Sequence, residues 1–504
     1  MKLAEYTSFD GVGLHNLISS GQVSASEVAA AAMRAIDIVN PKINALVERW
    51  PAEEAPTLSG DAGDRPLSGV PFLIKDLGVA MKGRRSELGS RIAEGLVAAE
   101  DSNLMVSFRK AGLATIGRTT MPEMAVSTTT ESRVCGPTRN PWNLGHGAGG
   151  SSGGAGAAVA AGIVPLAHAT DGGGSIRVPA ACNGLFGMKP TRGRVSNGPA
   201  VDEVWNGLGV HLGVSRSVRD SAALLDAVNG GGIGEPYYIT PPANSYLSEL
   251  QRNPGKLKIG FMLNPPDGTR TSRVVADATL AVARYLTSLG HDVEEVTPDL
   301  GVSWDGFVHA NAQFWAANAA LRLNALSAAT GRSVTAEILE PATFAVYEYG
   351  RRVSGIDLLA ALQVRNSVTR AAGRFFEKYD IFLTPTLPDL PPRIGEYNRD
   401  ETSLDGLGWV THVFRQSPFT ALSNVAGLPA MSVPLSFDGE TGLPIGAQFG
   451  ASFGREDILF RLAAQLEAAM PWHGRRPPVW AGTCSTDISG ECEGGPGPTP
   501  PILG

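Results

Sequence analysis

Apolar residues recur at helical spacing over residues 7–20 and again over 24–39. The second stretch opens on Ser24 with Glu27 three places later, the reciprocal capping pattern of a helix start. A polar Pro/Gly/Asp stretch, 51–67, then gives way to GVPFLIKD (69–76), an unbroken apolar run that predicts a buried strand with Lys75 near its end. Residues 103–113 predict a helix, and ATIGRTTM (114–121) a short strand that runs into a turn at Met121-Pro122-Glu123. Beyond Ser151, AGAAVAAGIV (155–164) predicts a tightly packed helix, PLAHATD (165–171) a strand, and LFGMKPT (185–191) a second strand-like piece.

Residues 228–256 read as loop, after which KLKIGFML (256–263), a helix over 273–289 and HDVEEVTP (291–298) restore the alternation. Residues 304–378 are mostly helical and rich in Ala, Phe, Trp and Tyr. DIFLTPTLP (380–388), SNVAGLPAMSVPLSF (423–437) and LPIGAQFGA (443–451) resume the strand pattern, and a helix over 454–470 closes it. Strands alternating with helices at this spacing predict an α/β fold around a central mixed, twisted sheet covered by helices on both sides. From about Gly474 onward periodicity is lost, which predicts a flexible tail. No internal repeat is visible.

Composition narrows the function. The chain has 504 residues, 43% of them hydrophobic, enough to bury a large core. Its net charge of −7 offers no electrostatic footprint for nucleic acid or an anionic membrane. No apolar run reaches the length of a membrane span and the N-terminus has no secretory pattern, so the expectation is a cytoplasmic protein. Four cysteines, Cys135, Cys182, Cys484 and Cys492, are too few for a disulfide framework, and their spacing suggests no metal site. Much of the excess of glycine, 61 residues in all, lies between 145 and 177.

That stretch, GHGAGGSSGGAGAAVAAGIVPLAHATDGGGSIR, carries the candidate chemistry. Two glycine-framed serines, Ser151 and Ser175, bracket the alanine-rich helix. A serine hydroxyl attacks only when a base takes its proton, and a lysine desolvated by GVPFLI is such a base. Gly172, Gly173 and Gly174 allow main-chain N–H groups to converge just before Ser175, as an oxyanion hole requires. Other readings fit less well. A phosphate loop needs a Lys after its glycines, and a dinucleotide fingerprint needs a tight turn where serines stand. His146 and His168 read as loop and strand residues rather than members of a Ser-His-Asp triad. For Lys75 the plainer reading is a strand-end lysine paired with Asp76; the two serine motifs weigh against it.

Together with GVPFLIKD, RTTMPEMAVSTTTES, GPTRNPWN, DIFLTPT, SNVAGLPAMSVP and LPIGAQFGASFGRED, the serine segment resembles the amidase signature family over roughly residues 5–475. The resemblance implies one catalytic domain over 1–475, with a helical insertion at about 304–378 covering the site and a tail over 476–504. It implies a Ser–cisSer–Lys triad in which Ser175 is the nucleophile, Ser151 the bridge beside a cis peptide, and Lys75 the ultimate base. The oxyanion would be held by N–H groups of Gly172, Gly173, Gly174 and Ser175. Gly172 departs from the bulkier residue common there, a change expected to loosen the turn or widen the acyl pocket. Asp171 and Arg177 are expected to brace the loop.

On the substrate side the resemblance places Met124, Ala125, Val126 and Ser127 along the pocket. Phe314 and Trp315 of the insertion, and Trp205 of the loop AVDEVWNGLG (200–209), are further candidate contacts. The expected activity is hydrolysis of C–N bonds in small, largely apolar amides, with carbamates and anilides included, and with no cofactor or metal. The expected partner is that small molecule, with the enzyme a monomer or homodimer. The alternatives are the glutaminase subunit of a tRNA-dependent amidotransferase and a non-catalytic nucleotide-binding module.

Overall fold

The described residues of the computed structural model are 1–50 and 65–483. Most of the polar stretch at 51–67, together with Cys484, Cys492 and the chain beyond Thr483, lies outside them. In chain order the strands are β1 (Leu46–Arg49), β2 (Pro71–Lys75), β3 (Ala114–Thr119), β4 (Glu131–Ser132), β5 (Gly136–Pro137), β6 (Arg139–Asn140) and β7 (Asn143–Gly147). They continue with β8 (Leu166–Asp171), β9 (Phe186–Lys189), β10 (Val210–Ser215) and β11 (Lys258–Phe261). The last four are β12 (Asp292–Glu295), β13 (Ile381–Pro385), β14 (Ala430–Phe437) and β15 (Pro444–Ala451). Eleven of these form one sheet in the order β1-β3-β2-β8-β10-β9-β14-β15-β13-β11-β12; β4 pairs with β5 and β6 with β7 outside it.

The sheet is mixed, as the alternating pattern predicts. β2 lies parallel to both β3 and β8, whereas β10 runs antiparallel to β8 and β9. Every residue of β2, β3, β8 and β10 is buried, so these strands are covered on both faces, although only β2 reads as an apolar run. Because β2 and β8 are parallel neighbours with Leu73 opposite Ala167, the C-terminal ends that carry Lys75 and Asp171 meet at one edge of the sheet.

The helical insertion is built from helices Trp304–Thr330, Pro341–Gly350 and Gly355–Phe376. With helix Gly406–Gln416 it makes a second apolar core around Phe307, Trp315, Val346, Trp409 and Phe414.

Four details depart from the pattern-based expectation. Residues 7–20 do not form one helix: the chain breaks at Phe9, and Asp10 caps a new helix, Gly11–Ser19, by accepting from Gly13 N–H at 2.9 Å. The capped helix from Ala25 runs to Ile43, past the expected end, with Pro41 inside it. β10, helix Val218–Val228 and helix Gly406–Gln416 had no counterpart in the sequence reading. The packed chain also extends beyond 475. Val479, Trp480 and Ala481 are buried, Ala481 N–H donates to the Ala161 carbonyl at 2.9 Å, and Trp480 lies against Gly162. An isolated aromatic in a proline-rich stretch leaves no periodic signal, which is why a tail was expected there.

Candidate active site

Lys75 ends β2 with its side chain fully buried. Its Nζ lies 2.7 Å from Ser151 Oγ, 2.8 Å from Thr170 Oγ1 and 3.0 Å from Ser152 Oγ. All three partners are neutral hydroxyls. Burial therefore lowers the Lys75 pKa from 10.5 to about 7, against the opposing pull of Asp171 and Asp76. The pairing of Lys75 with Asp76 weighed from sequence does not form. Asp76 instead takes the Arg118 guanidinium, with the N–H groups of Glu87 at 2.9 Å and Gly89 at 3.1 Å.

Ser151 follows a cis peptide at Gly150–Ser151, just ahead of helix Gly153–Ala160. The chain here is held against Thr129 and Thr130. Thr130 Oγ1 donates to the Gly149 carbonyl at 2.8 Å and accepts from Gly153 N–H at 3.2 Å. A Cβ at Gly150 would sit 2.6 Å from the Thr129 carbonyl oxygen, so only glycine allows this approach.

Ser175 lies in the turn between β8 and helix Arg177–Asn183 and is partly exposed. Asp171 and Arg177, both fully buried, hold that turn as expected. Arg177 Nε and Nη2 donate to the two Asp171 carboxylate oxygens at 2.9 and 3.0 Å, a two-point clamp. Arg177 also donates to Gln448 Oε1 and Asn424 Oδ1, each at 2.7 Å, and to the Thr420 carbonyl at 2.8 Å. Burial would raise Asp171, but the Arg177 charge and hydrogen bonds outweigh it and hold the carboxyl at about 2.

One expectation for the turn is overturned. Gly174 N–H donates to Asp171 Oδ1 at 2.7 Å and is not available to a substrate oxygen. It has been drawn back onto the clamp, with Gly174 at φ +140, where a Cβ would meet Thr420 Oγ1 at 2.6 Å. Among the described residues, no group accepts from the amides of Gly172, Gly173 or Ser175.

The two tryptophans named from sequence stand on this turn. A Cβ on Gly172 would lie 2.9 Å from Trp205 Cε3, and one on Gly173 would lie 2.7 Å from Trp315 Cζ2. Their rings pack at 4.8 Å between centroids. The space gained by glycine at 172 is thus occupied by Trp205, and the expected looser turn or wider pocket is not found. Trp205 and Asn206 both adopt positive φ, +53 and +52. Asn318 Nδ2, donating at 2.7 Å to Asn206 Oδ1, and Arg365, donating to the Asn206 carbonyl, fasten that segment to the insertion.

The remaining sequence candidates divide. Ser127 is buried, its Oγ accepting from Thr129 N–H at 3.2 Å. Met124 and Val126 join a buried cluster with Leu88, Ile92 and Leu323, and Ala125 is buried between them. Phe314 is buried in the core of the helical layer. His146 Nδ1 contacts the Pro391 carbonyl at 2.7 Å, and His168 accepts from Lys75 N–H at 3.3 Å and stacks on His211. Sequence reasoning missed Thr170, Ser152, Asn424 and Gln448. The first two follow directly from the strand and serine motifs, whereas Asn424 and Gln448 lie in SNVAGLPAMSVP and LPIGAQFGASFGRED, which say nothing of their reach to Arg177, 247 and 271 residues away.

A profile of the amidase family matches residues 27–460. The chain belongs to the amidase family. Among curated amidase relatives it is similar to 6-aminohexanoate-cyclic-dimer hydrolase of Paenarthrobacter ureafaciens, 35% identical over 477 residues, or 93% of this chain and 96% of that protein. Among solved amidase structures it resembles that of a 6-aminohexanoate cyclic dimer hydrolase, with TM-score 0.87 and 34% identity over 94% of this chain and 99% of the other. A bacterial aryl acylamidase of the amidase signature family is similar at TM-score 0.81 and 27% identity, covering 92% and 96%. Membership makes the chain a hydrolase of carbon–nitrogen bonds in amides. Among its described residues, no helix is long and apolar enough to cross a membrane.

Proposed function

We propose that the protein hydrolyses small, largely apolar amides through an acyl-enzyme on Ser175, with Ser151 and Lys75 as proton relay and base. The observation that carries this reading is the 2.7 Å contact between the buried Lys75 Nζ and Ser151 Oγ. A neutral amine has two N–H donors and one lone pair. Three hydroxyl neighbours match that set, two receiving N–H groups and Ser151 giving its proton to the lone pair. With a pKa of about 7, half of the lysine is unprotonated at neutral pH.

In the proposed sequence, Ser175 Oγ attacks the amide carbonyl while its proton passes to Ser151 and that of Ser151 passes to Lys75. The free amides of Gly172, Gly173 and Ser175 are the donors for the resulting oxyanion. Collapse breaks the C–N bond, and the amine leaves with the proton returned along the same relay. Water then repeats the attack on the ester and releases the acid. A carbamate undergoes the same attack but loses its alcohol: the C–O bond breaks and the relayed proton goes to the alkoxide. Water then releases from the carbamoyl-enzyme a carbamic acid that falls apart to carbon dioxide and the amine. Trp205 and Trp315 over the turn supply the apolar wall that favours anilides and other neutral substrates.

The test is a panel of chromogenic anilides, aryl carbamates and glutamine with wild type and Ser175→Ala. Hydrolysis of a neutral anilide is expected, reduced at least about a thousandfold in the variant. Undiminished turnover by Ser175→Ala would refute the assignment, and ammonia release from glutamine alone would favour the glutaminase reading.

A further inference from the structure

Two histidines that the proton relay does not use lie beside the base. His168 on β8 and His211 on β10 are both buried, their rings stacked at 5.5 Å between centroids and 16° apart. In the antiparallel register His168 stands opposite Gly213 and His211 opposite Thr170. Both imidazoles therefore share a sheet face with the Thr170 hydroxyl that takes Lys75 Nζ at 2.8 Å. His168 Nδ1 takes the backbone N–H of Lys75 at 3.3 Å. Further on, Gly78 at φ +86 lies against the other ring, where a Cβ would meet His211 Nδ1 at 2.9 Å. The pair thus touches the chain at Lys75 itself and again at Gly78.

The directions of these bonds follow from one another. A backbone N–H only donates, so His168 Nδ1 holds a lone pair and the proton of that ring sits on Nε2. The Nε2–H donates to His211 Nδ1 at 3.3 Å, which leaves the His211 proton on its own Nε2. A second proton on either Nδ1 would point two hydrogens into one bond. Burial acts in the same sense. It holds His211 down at about 4, with the Lys75 charge adding, and keeps His168 well below the usual histidine range, with His211 and Lys75 adding. Phe108 packs edge to face on His168 at 5.8 Å and brings no charge. The pair therefore stays neutral over the range in which Lys75 titrates.

β2 pairs with β8 at Leu73 opposite Ala167, short of Lys75. Past that pair Thr170 N–H donates to Ser152 Oγ at 3.3 Å and Lys75 N–H to the imidazole, so side chains of the site take over from the strand ladder. We propose that the His168–His211 pair positions the base: by holding the Lys75 N–H it sets where the lysine side chain leaves β2, and hence where Nζ meets Ser151 Oγ. This rests on the reading of Lys75 as the base. Both histidines are positioning residues, since the hydrogen-bond partners of Nζ are the hydroxyls of Ser151, Ser152 and Thr170. A neutral imidazole gives this hold without adding a charge beside the amine.

The experiment follows hydrolysis of a neutral anilide by wild type, His168→Leu, His168→Asn, His211→Phe and Lys75→Met, each checked for folding by circular dichroism and denaturant midpoint. Misplacing a catalytic group by about 1 Å costs on the order of a hundredfold. His168→Leu is therefore expected to lose at least about thirtyfold in kcat, with KM within about twofold of wild type. In His168→Asn the amide Oδ1 stands where Nδ1 stood and accepts the same N–H, so kcat is expected within about threefold of wild type. His211→Phe keeps a ring but loses the acceptor, and is expected to lower kcat about fivefold. In wild type labelled with 15N at histidine, NMR is expected to show both rings as neutral Nε2–H tautomers from about pH 6 to 8. Undiminished kcat in His168→Leu or His211→Phe, or equal losses in His168→Leu and His168→Asn, overturns the positioning role. So does an Nδ1–H tautomer or an imidazolium at His168, a test on wild type that stands even where a variant does not fold. Turnover by Lys75→Met overturns the reading of Lys75 as base, whereas the other failures leave that variant inactive.

Discussion

Lys75→Met separates the chemical role of this lysine from its cost to the fold. In the unfolded chain the amine titrates near 10.5, and in the folded protein near 7. Between those values the unfolded state holds the extra proton, so the lysine's contribution to stability rises with pH from 7 upward and is least favourable below 7. A shift of roughly 3.5 units corresponds to about 5 kcal/mol across the full window. Methionine keeps the volume, does not titrate, and gives up hydrogen bonds to three hydroxyls, a pH-independent loss of about 1 kcal/mol each. The stability of the variant relative to wild type is therefore expected to fall by about 3 kcal/mol between pH 6 and 9. Buried Lys189, also lowered to about 7, is common to both proteins and cancels in the difference. Urea unfolding at pH 6, 7.5 and 9 gives the comparison. In parallel, wild-type kcat/KM for an anilide should fall roughly tenfold from pH 8 to 6 as the lysine protonates, while the variant stays inactive throughout. A stability difference that does not change with pH would refute the buried neutral amine, and a flat wild-type profile would refute its use as the base.

Arg177→Met should destabilise the fold by about 3 kcal/mol or more, measured by denaturant midpoint, because it leaves the fully buried Asp171 without its countercharge. Gly173→Ala should lower kcat/KM by roughly tenfold, since its Cβ would lie 2.7 Å from a Trp315 ring already wedged against Trp205 and Phe414. A Gly173→Ala enzyme with unchanged kinetics would mean that the ring yields freely.

The parts legible in the sequence were those whose signal is local. GVPFLIKD declared a buried strand, and the Asp171–Ser175 turn followed from its glycines, because burial on both faces and close backbone approach each restrict residue type at consecutive positions. A cis peptide on one side or the other of Ser151 was implied by resemblance, and the structure has it before Ser151, at Gly150–Ser151. What failed depended on partners far along the chain. Gly174 N–H turned to Asp171 because Arg177, Asn424, Gln448 and Thr420 fix that carboxylate in place. Gly172 looked like added space until Trp205, on a loop more than 30 residues later, was seen to occupy it. β10 lies in the middle of the sheet, yet VHLGVS is too short and too mixed to announce itself against its glycine-rich flank.

The arrangement of charge around Lys75 explains why two ion pairs lie buried there, where such pairs seldom add stability. Two carboxylates, Asp171 and Asp76, stand near enough to raise the lysine's pKa. Left unpaired, either would favour the ammonium form of Lys75. Each is instead tied to its own arginine, Asp171 to Arg177 and Asp76 to Arg118, so that most of its field is spent on a neighbour. The lysine is left with hydroxyls alone, which solvate a neutral amine as readily as a charged one. Burial then decides the protonation state. On this reading the arginines insulate the base electrically, and the same Arg177 clamp that draws Gly174 N–H inward holds Ser175 on the turn. One buried ion pair thus serves both the shape of the Ser175 turn and the lowered pKa of the lysine.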